Sequence, residues 1–192
     1  FFICYDHLIL NTFKYRIYPN TVQIELIEKH FGACRFVYNL ALETKQMAWN
    51  QYKKPLTYFD LGKQLTDLKN HVDWLREVNS QSLQMQLRNL DTAFMRFFKG
   101  QGQYPNFKSR KNRQTFHCPQ NVTIEEDKVY LPKFEQGVKI KFDRCLNGKI
   151  KTSTISKTKT GKYFISILIE DEFELPTKKN INIESSIGLD LG

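Results

Sequence analysis

The hydrophobic period of the chain changes twice, and this change constrains the fold more than any other feature. Residues 9–18 alternate between apolar and polar side chains, which is typical of a half-buried strand. Apolar residues then recur every three or four positions from Ile24 to Phe97, as on one side of a helix, before alternation returns between about residues 116 and 170. The pattern predicts an α+β fold in which helices separate two β regions.

The first predicted strand has an apolar face and a basic face. Tyr15 and Ile17 alternate with Lys14 and Arg16, so the basic pair points away from the buried side. The strand has no candidate partner nearby in sequence, whereas the later β region supplies several. We therefore expect the strand to return to that later sheet, which makes the helices an insertion.

The insertion is predicted to contain three amphipathic helices. The first has Asn20 as its N-cap with Gln23 in the reciprocal capping position, and we expect it to run to about Asn50. The second begins at Thr57, and the third begins near residues 79–80. Three such helices form a small bundle.

Positive charge is segregated along the chain, which has a net charge of +9. Between Asp91 and Glu125 there are six basic residues and no acidic one, and residues 136–169 hold eight basic residues against Asp143 alone. Lys and Arg displace counterions from phosphates, and neighbouring aromatic rings can stack on unpaired bases. A solvated basic surface would give the same runs, but two runs beside one β region favour RNA or single-stranded DNA.

A short strand is predicted near the end of the sequence, in residues 183–192. Alternation places Asp190 on the same face as Gly188 and Gly192, so the glycines clear space around one carboxylate. That arrangement suits a carboxylate that holds a divalent metal while a phosphodiester approaches. The alternative is a surface aspartate at a glycine turn.

The cysteines and histidines are not spaced like the ligands of a metal site. The cysteines are far apart without a C-x-x-C pair, so we expect no zinc site and a reducing cytoplasm. The histidines show no ligand spacing, and we expect structural or solvent-exposed roles for them. No segment has the pattern of a targeting signal or a membrane span.

Six blocks of residues follow one another along the chain. They are 14–19, 32–39, 84–98, 104–110, the pair 131–133 and 161–164, and 188–192. Taken in this order, the blocks resemble the OrfB/TnpB family of insertion sequences, and the resemblance covers about residues 9–192.

The resemblance implies a fold and a function. It implies a wedge-type, OB-like β-barrel from residues 9–19 and 115–178, a helical recognition lobe from 20–114, and the start of an RNase H-like (RuvC) nuclease at 183–192. Members of the family bind a guide RNA made from the transposon end, recognise a short motif beside the target, and cut double-stranded DNA with magnesium. A cytoplasmic protein, associated with the nucleoid when bound to DNA, is expected.

Asp190 is similar to the first of the three RuvC carboxylates, so the resemblance makes it a catalytic and Mg²⁺-binding candidate. The later carboxylates would follow Gly192, and we expect the chain to be an N-terminal part that cannot cleave DNA alone. The alternative is a catalytically inactive RNA- or DNA-binding module derived from such a nuclease. A transposase with a tyrosine nucleophile is disfavoured, since no Tyr-His-hydrophobe-His arrangement is present.

The candidate nucleic-acid contacts fall in three groups. Gln84 and Arg88 lie off the leucine stripe of the third helix, and amide and guanidinium groups can read base edges, although such residues are often solvent contacts. The second group, expected on RNA or DNA backbone, is Lys108, Arg110, Lys111 and Arg113. The third, from the blocks and the basic strand faces, is Lys14, Arg16, Tyr38, Asn39, Lys139 and Lys141.

Overall fold

The structure is a computed structural model, and it describes residues 9–143, 146 and 148–171. Three helices lie between the first strand and the other strands in the sequence. The helices are α1 Thr21–Tyr52, α2 Tyr58–His71 and α3 Ser80–Phe98, with a single 3₁₀ turn at Asp73–Arg76. The strands are β1 Ile9–Tyr18, β2 Gln114–Cys118, β3 Thr123–Glu125, β4 Lys128–Tyr130, β5 Val138–Lys141, β6 Lys149–Lys157 and β7 Tyr163–Asp171.

The predicted helix starts are confirmed. At α1, Asn20 Oδ1 accepts a hydrogen bond from the Gln23 backbone at 2.8 Å, and Gln23 Oε1 accepts one from the Asn20 backbone at 3.0 Å. Thr57 caps α2 and Asn79 caps α3 through their side chains. Helix α1 continues two residues beyond the expected end and stops where Lys53 adopts a left-handed conformation.

The first strand returns to the later sheet, as predicted. The seven strands form one antiparallel sheet in the order β2-β6-β7-β1-β5-β4-β3. Strand β1 therefore lies at its centre, with Tyr15 opposite Ile165 on β7 and Ile17 opposite Ile140 on β5. The sheet is curled, and within the described residues its outer strands β2 and β3 each pair on one side only.

Helix α1 packs on the sheet through aromatic side chains. On α1, the Phe31 ring lies 5.5 Å from the Phe116 ring of β2, and the His30 ring stacks on Phe116 at 4.6 Å. The buried residues of helices and strands belong to one core cluster, which fixes α1 against the sheet.

Some predictions fall beyond what the structure describes. The strand in residues 183–192, Asp190 within it, and residues 172–178 of the expected barrel lie outside the described residues. The helices with an antiparallel sheet establish the α+β class. The OB-like barrel, the RNase H-like continuation and the division into domains stay predictions. No helix in the described part is both long and apolar enough to cross a membrane.

Candidate nucleic-acid interface

A cleft of about 870 Å³ opens where α1, the β6–β7 hairpin and the segment before β2 meet. Seven basic side chains and one carboxylate, Glu28, line it, and we call it the basic groove. Its basic residues are Lys14, Arg35, Arg110, Lys111, Arg113, Lys157 and Lys159. Four of these were predicted contacts, and the fold brings them together although Lys14 is almost a hundred positions from the others.

One face of α1 forms a wall of the basic groove. Glu28, Gly32 and Arg35 are four and three positions apart, so a helix places them on the same side. A Cβ atom at Gly32 would meet no atom within 4 Å, so this part of the helix faces open space. A glycine here lets a ligand approach the helix backbone more closely than a larger residue would.

A braced segment, residues 108–114, supplies another wall through residues 110–114. Asn39 on α1 holds its first residue, because Asn39 Nδ2 donates to the Lys108 carbonyl at 2.9 Å and Asn39 Oδ1 accepts from the Lys108 amide at 2.8 Å. Asn112 Oδ1 closes a turn by accepting from the Ser109 amide at 2.9 Å. Gln114 ends the segment and accepts a hydrogen bond from Arg35 at 2.8 Å. The turn that carries Arg110, Lys111 and Arg113 is therefore held in place before any ligand binds.

The charges of the groove are largely uncompensated. Glu28 accepts hydrogen bonds from Lys157 Nζ at 2.7 Å and from the Tyr163 hydroxyl at 2.9 Å. The hydrogen bond to Glu28 raises the pKa of Lys157, so this lysine stays charged at neutral pH. Among the described residues no carboxylate forms a salt bridge with Arg110, Lys111 or Arg113. The groove therefore presents positive potential to an anion.

Three predicted contacts have structural roles in this geometry. The Lys108 ammonium donates to Gln86 Oε1 at 3.0 Å and lies 3.8 Å from the centre of the Tyr38 ring. Burial lowers the pKa of Lys108, and the Tyr38 side chain is itself buried. The side-chain amide of Asn39 is hydrogen-bonded to the backbone of Lys108. Lys108, Tyr38 and Asn39 therefore hold the segment in place, and direct contact of these three residues with nucleic acid stays a prediction.

Other predicted contacts lie on the exposed face of the sheet. Arg16 on β1 is opposite Lys141 on β5, and the next outward position pairs Tyr18 with Lys139. The Arg16 guanidinium lies 4.9 Å from the Tyr18 ring, while Lys139 is 3.9 Å from Asp127. These three basic residues form a strip that does not line the groove.

The remaining predicted pair lies on α3. Gln84 and Arg88 are exposed and one helical turn apart, so they share a face. Arg88 lies 5.6 Å from the Tyr58 ring of α2, and Gln84 lines a shallow cleft of about 250 Å³ together with Lys69 and Arg76. This face is separate from the basic groove.

Sequence reasoning missed most of the other residues that line the groove, among them Lys157, Lys159, Arg35 and Gly32. Lys157 and Lys159 belong to the second basic run, but the run gave no reason to choose them over its other members. Arg35 and Gly32 lie in a block that carries the family resemblance, and their spacing with Glu28 marks one helix face. That spacing is a signal that could have identified them.

No candidate metal centre is present in the described part of the chain, in which no three His, Cys, Asp or Glu residues cluster. Asp190 lies outside that part. Cys34 and Cys118 are buried and unpaired, and burial raises the pKa of each thiol to about 12. Both thiols therefore stay protonated and act as core residues.

Comparison with known proteins identifies the family. The helix-turn-helix domain model of OrfB proteins from IS605-type elements matches residues 9–54. InsQ of Escherichia coli K12, named as an RNA-guided DNA endonuclease, is 32% identical over 187 residues, which are 95% of this chain and 45% of InsQ. A protein of Streptomyces pristinaespiralis with the same designation is 34% identical over 165 residues, 83% of this chain and 41% of its own length. The chain belongs to the TnpB/OrfB family.

The TnpB/OrfB match covers five residues that line the basic groove. Residues 9–54 form β1 and the single helix α1 here, and they include Lys14, Gly32 and Arg35. The virulence protein VsdF of Salmonella dublin is 33% identical over 115 residues, which are 54% of this chain and 97% of VsdF. The chain spans less than half the length of the two TnpB/OrfB relatives named as endonucleases.

Proposed function

We propose that this chain is the N-terminal, nucleic-acid-binding part of a transposon-encoded RNA-guided DNA endonuclease, and that the basic groove holds its guide RNA. The observation that carries the proposal is the convergence of seven basic side chains from four parts of the fold on one cleft. Two relatives named as RNA-guided DNA endonucleases support the same function.

The chemistry of the groove suits an RNA backbone. Phosphate binding to Lys and Arg releases counterions, which drives association without reading sequence. The groove also presents neutral donors and acceptors, among them Asn112 and Thr158, that can bond phosphate oxygens or ribose hydroxyls. Backbone-directed binding is what a guide requires, because its bases must remain available to pair with target DNA.

Target DNA would contact other surfaces. The exposed face of α3 offers Gln84 and Arg88 for base edges of a short motif beside the target, and nearby Lys69 and Arg76 for phosphates. The strip of Arg16, Lys139 and Lys141 on the sheet supplies further phosphate contacts. This division leaves sequence recognition to base pairing and motif recognition to the protein.

Cleavage would require the nuclease part. Asp190 is the candidate first carboxylate for Mg²⁺, which activates and positions the attacking water in phosphodiester hydrolysis. The competing proposal is a module that binds nucleic acid in the same groove without cleavage. Mg²⁺-dependent cutting of a guide-matched DNA by the protein with its downstream region, abolished by Asp190→Ala, distinguishes the two.

The direct test is identification of the bound RNA. The chain is purified from a host that also expresses the adjoining transposon-end sequence, and the retained RNA is sequenced after washes of increasing salt. We expect a discrete RNA from the transposon end that survives washes at physiological salt. A scrambled transposon end is the matched control. Retention of bulk cellular RNA alone, equally in both hosts, would contradict guide binding.

A further inference from the structure

A second cleft, distant from the basic groove along α1, is lined by aromatic rings. It occupies about 530 Å³ between the last turns of α1, the end of α3 and the segments that follow these helices. Its main lining residues are Trp49, Leu56, Phe94, Phe97, Phe98 and Tyr104, and we call it the aromatic cleft.

The rings of the aromatic cleft are ordered against one another but remain open to solvent. Phe94 and Phe98 stack with centroids 6.1 Å apart, and Tyr104 meets Phe94 edge-on at 5.5 Å and Phe97 edge-on at 5.2 Å. Nevertheless Phe98 is 77% exposed, Trp49 53% and Tyr104 41%. A contiguous exposed aromatic surface of this kind marks a binding site more often than an isolated apolar residue does.

Lys45 fixes the shape of the cleft. Its ammonium donates to the Leu56 carbonyl at 2.6 Å, lies 3.7 Å from Asp91 on α3, and lies 5.1 Å from the centre of the Phe94 ring. This one side chain links α1, α3 and the segment between α1 and α2. The cleft is therefore preformed, which lowers the entropy cost of binding a flat ligand.

The charges at the rim favour a polyanion over a second copy of the chain. Lys53, Lys54 and Lys99 adjoin the cleft in sequence and are exposed, and Lys53 Nζ lies 6.0 Å from the Trp49 ring. The carboxylate of Asp91 is already engaged by Lys45. In a two-fold dimer the same patch meets itself, so the lysines would face lysines. An anionic strand instead brings phosphates to the lysines and flat bases to the rings.

We propose that the aromatic cleft binds unpaired bases of a single-stranded nucleic acid by stacking on Trp49 and Phe98, with phosphates on the flanking lysines. This is a second site, composed of residues that the basic groove does not use. It neither requires nor replaces guide binding in that groove.

Tryptophan fluorescence tests this site selectively. The chain has two tryptophans, so Trp74→Phe leaves Trp49 as the sole reporter, and Trp49→Phe leaves Trp74 as the matched control. The probe is an oligothymidylate of about 12 nucleotides, compared with an abasic strand of the same length. We expect the thymidine strand to quench Trp49, the abasic strand not to, and Trp74 to be unaffected by either.

A further variant separates the cleft from the groove. Phe98→Ala in the Trp74→Phe background should weaken thymidine-dependent quenching about tenfold, since stacking on an aromatic ring contributes strongly to binding of each base. The folded state should persist because Phe98 is mostly exposed. Replacing Arg110, Lys111 and Arg113 by Ala should leave a thymidine-specific quench in place, even if overall RNA binding is lost.

Two results would overturn the proposal. Equal quenching of Trp49 by thymidine and abasic strands would show that bases do not enter the cleft. Self-association of the chain that Trp49→Ala and Phe98→Ala both abolish, without any base-dependent quenching, would assign this surface to a second copy of the chain.

Discussion

At the scale of single residues, Gly32 gives the groove its access to the helix backbone. Glycine in a helix interior costs about 0.5–1 kcal/mol relative to alanine, so its presence in α1 lowers stability. A side chain at this position would project into open space without a clash. Glycine at this position therefore lowers the stability of α1 but leaves room for a ligand beside the helix.

The first prediction separates the effect of Gly32 on helix stability from its effect on access to the groove. Gly32→Met should raise the free energy of unfolding, by a few tenths to about 1 kcal/mol, yet weaken RNA binding because the new side chain occupies the groove. Gly62 on α2 is the matched control, since a Cβ there also meets nothing within 4 Å and Gly62 does not line the groove. Gly62→Met should stabilise the chain and leave RNA affinity unchanged. Unaltered affinity in Gly32→Met would remove α1 from the site.

A second residue, His30, makes the stability of the folded chain depend on pH. Its Nε2 accepts a hydrogen bond from the Asn79 amide at 3.0 Å, and Nδ1 lies 2.8 Å from the Leu26 carbonyl. With Nδ1–H as donor, the neutral ring satisfies both bonds and links α1 to the start of α3. Burial lowers the pKa of His30 from 6.5 to about 4, opposed by the Leu26 carbonyl and aided by the charge of Lys133.

The lowered pKa of His30 predicts the pH range in which the folded chain loses stability. The unfolded chain takes up a proton near pH 6.5 and the folded chain only near pH 4, so His30 contributes full stability above pH 6.5 and loses it as the pH falls toward 4. The loss over that window is on the order of 3 kcal/mol. Urea unfolding of His30→Gln at pH 7 and pH 4.5 should show a smaller difference than wild type. As a control, His71→Gln changes an exposed histidine and should keep the wild-type difference in stability between the two pH values. If His30→Gln also keeps the wild-type difference, His30 does not have this role.

At the scale of elements, local periodicity was sufficient for the three helices and for strands β1 and β7. Alternation in residues 9–18 identified β1, and the capping residues Asn20, Thr57 and Asn79 fixed the starts of all three helices. The central place of β1 followed because a lone strand must pair with the later β region. These features depend on neighbours in sequence or on one simple requirement for hydrogen bonding.

The features of the candidate site that could not be predicted from the sequence depend on contacts between residues far apart in the chain. Lys108 and Arg110 belong to the same basic run and are equivalent by composition, but Lys108 points inward to Tyr38 while Arg110 faces the groove. Residues 108–113 lack a repeating pattern, and their conformation is held by hydrogen bonds from Asn39, Asn112 and Gln114. Similarly, nothing local to β6 indicated that Lys157 would meet Glu28 of α1.

At the scale of the whole molecule, the basic groove exists because β1 returns to the sheet. That pairing brings Lys14 beside the β6–β7 hairpin, and the packing of His30 and Phe31 on Phe116 holds α1 above it. Helix α1 then carries both candidate sites, with Arg35 in the groove and Trp49 in the aromatic cleft. At 1.5 Å per residue these positions are roughly 20 Å apart along the helix, so each site can be altered without changing the other.

The salt dependence of RNA binding shows whether the basic groove holds RNA through its cations. The transposon-end RNA is titrated with wild type and with the triple variant Arg110→Ala, Lys111→Ala, Arg113→Ala at several salt concentrations. Each lost phosphate contact to a single strand lowers the slope of log K against log salt by about 0.7, so the variant's slope should be shallower by about 2.

The matched control for this titration is Lys63→Ala, Lys128→Ala, Lys149→Ala, which removes the same charge from exposed positions outside the groove. We expect a wild-type slope for the control and a reduced slope, with weaker binding, for the groove variant. Equal slopes in the two variants would mean that RNA binds to the general positive charge of the surface and not to the basic groove.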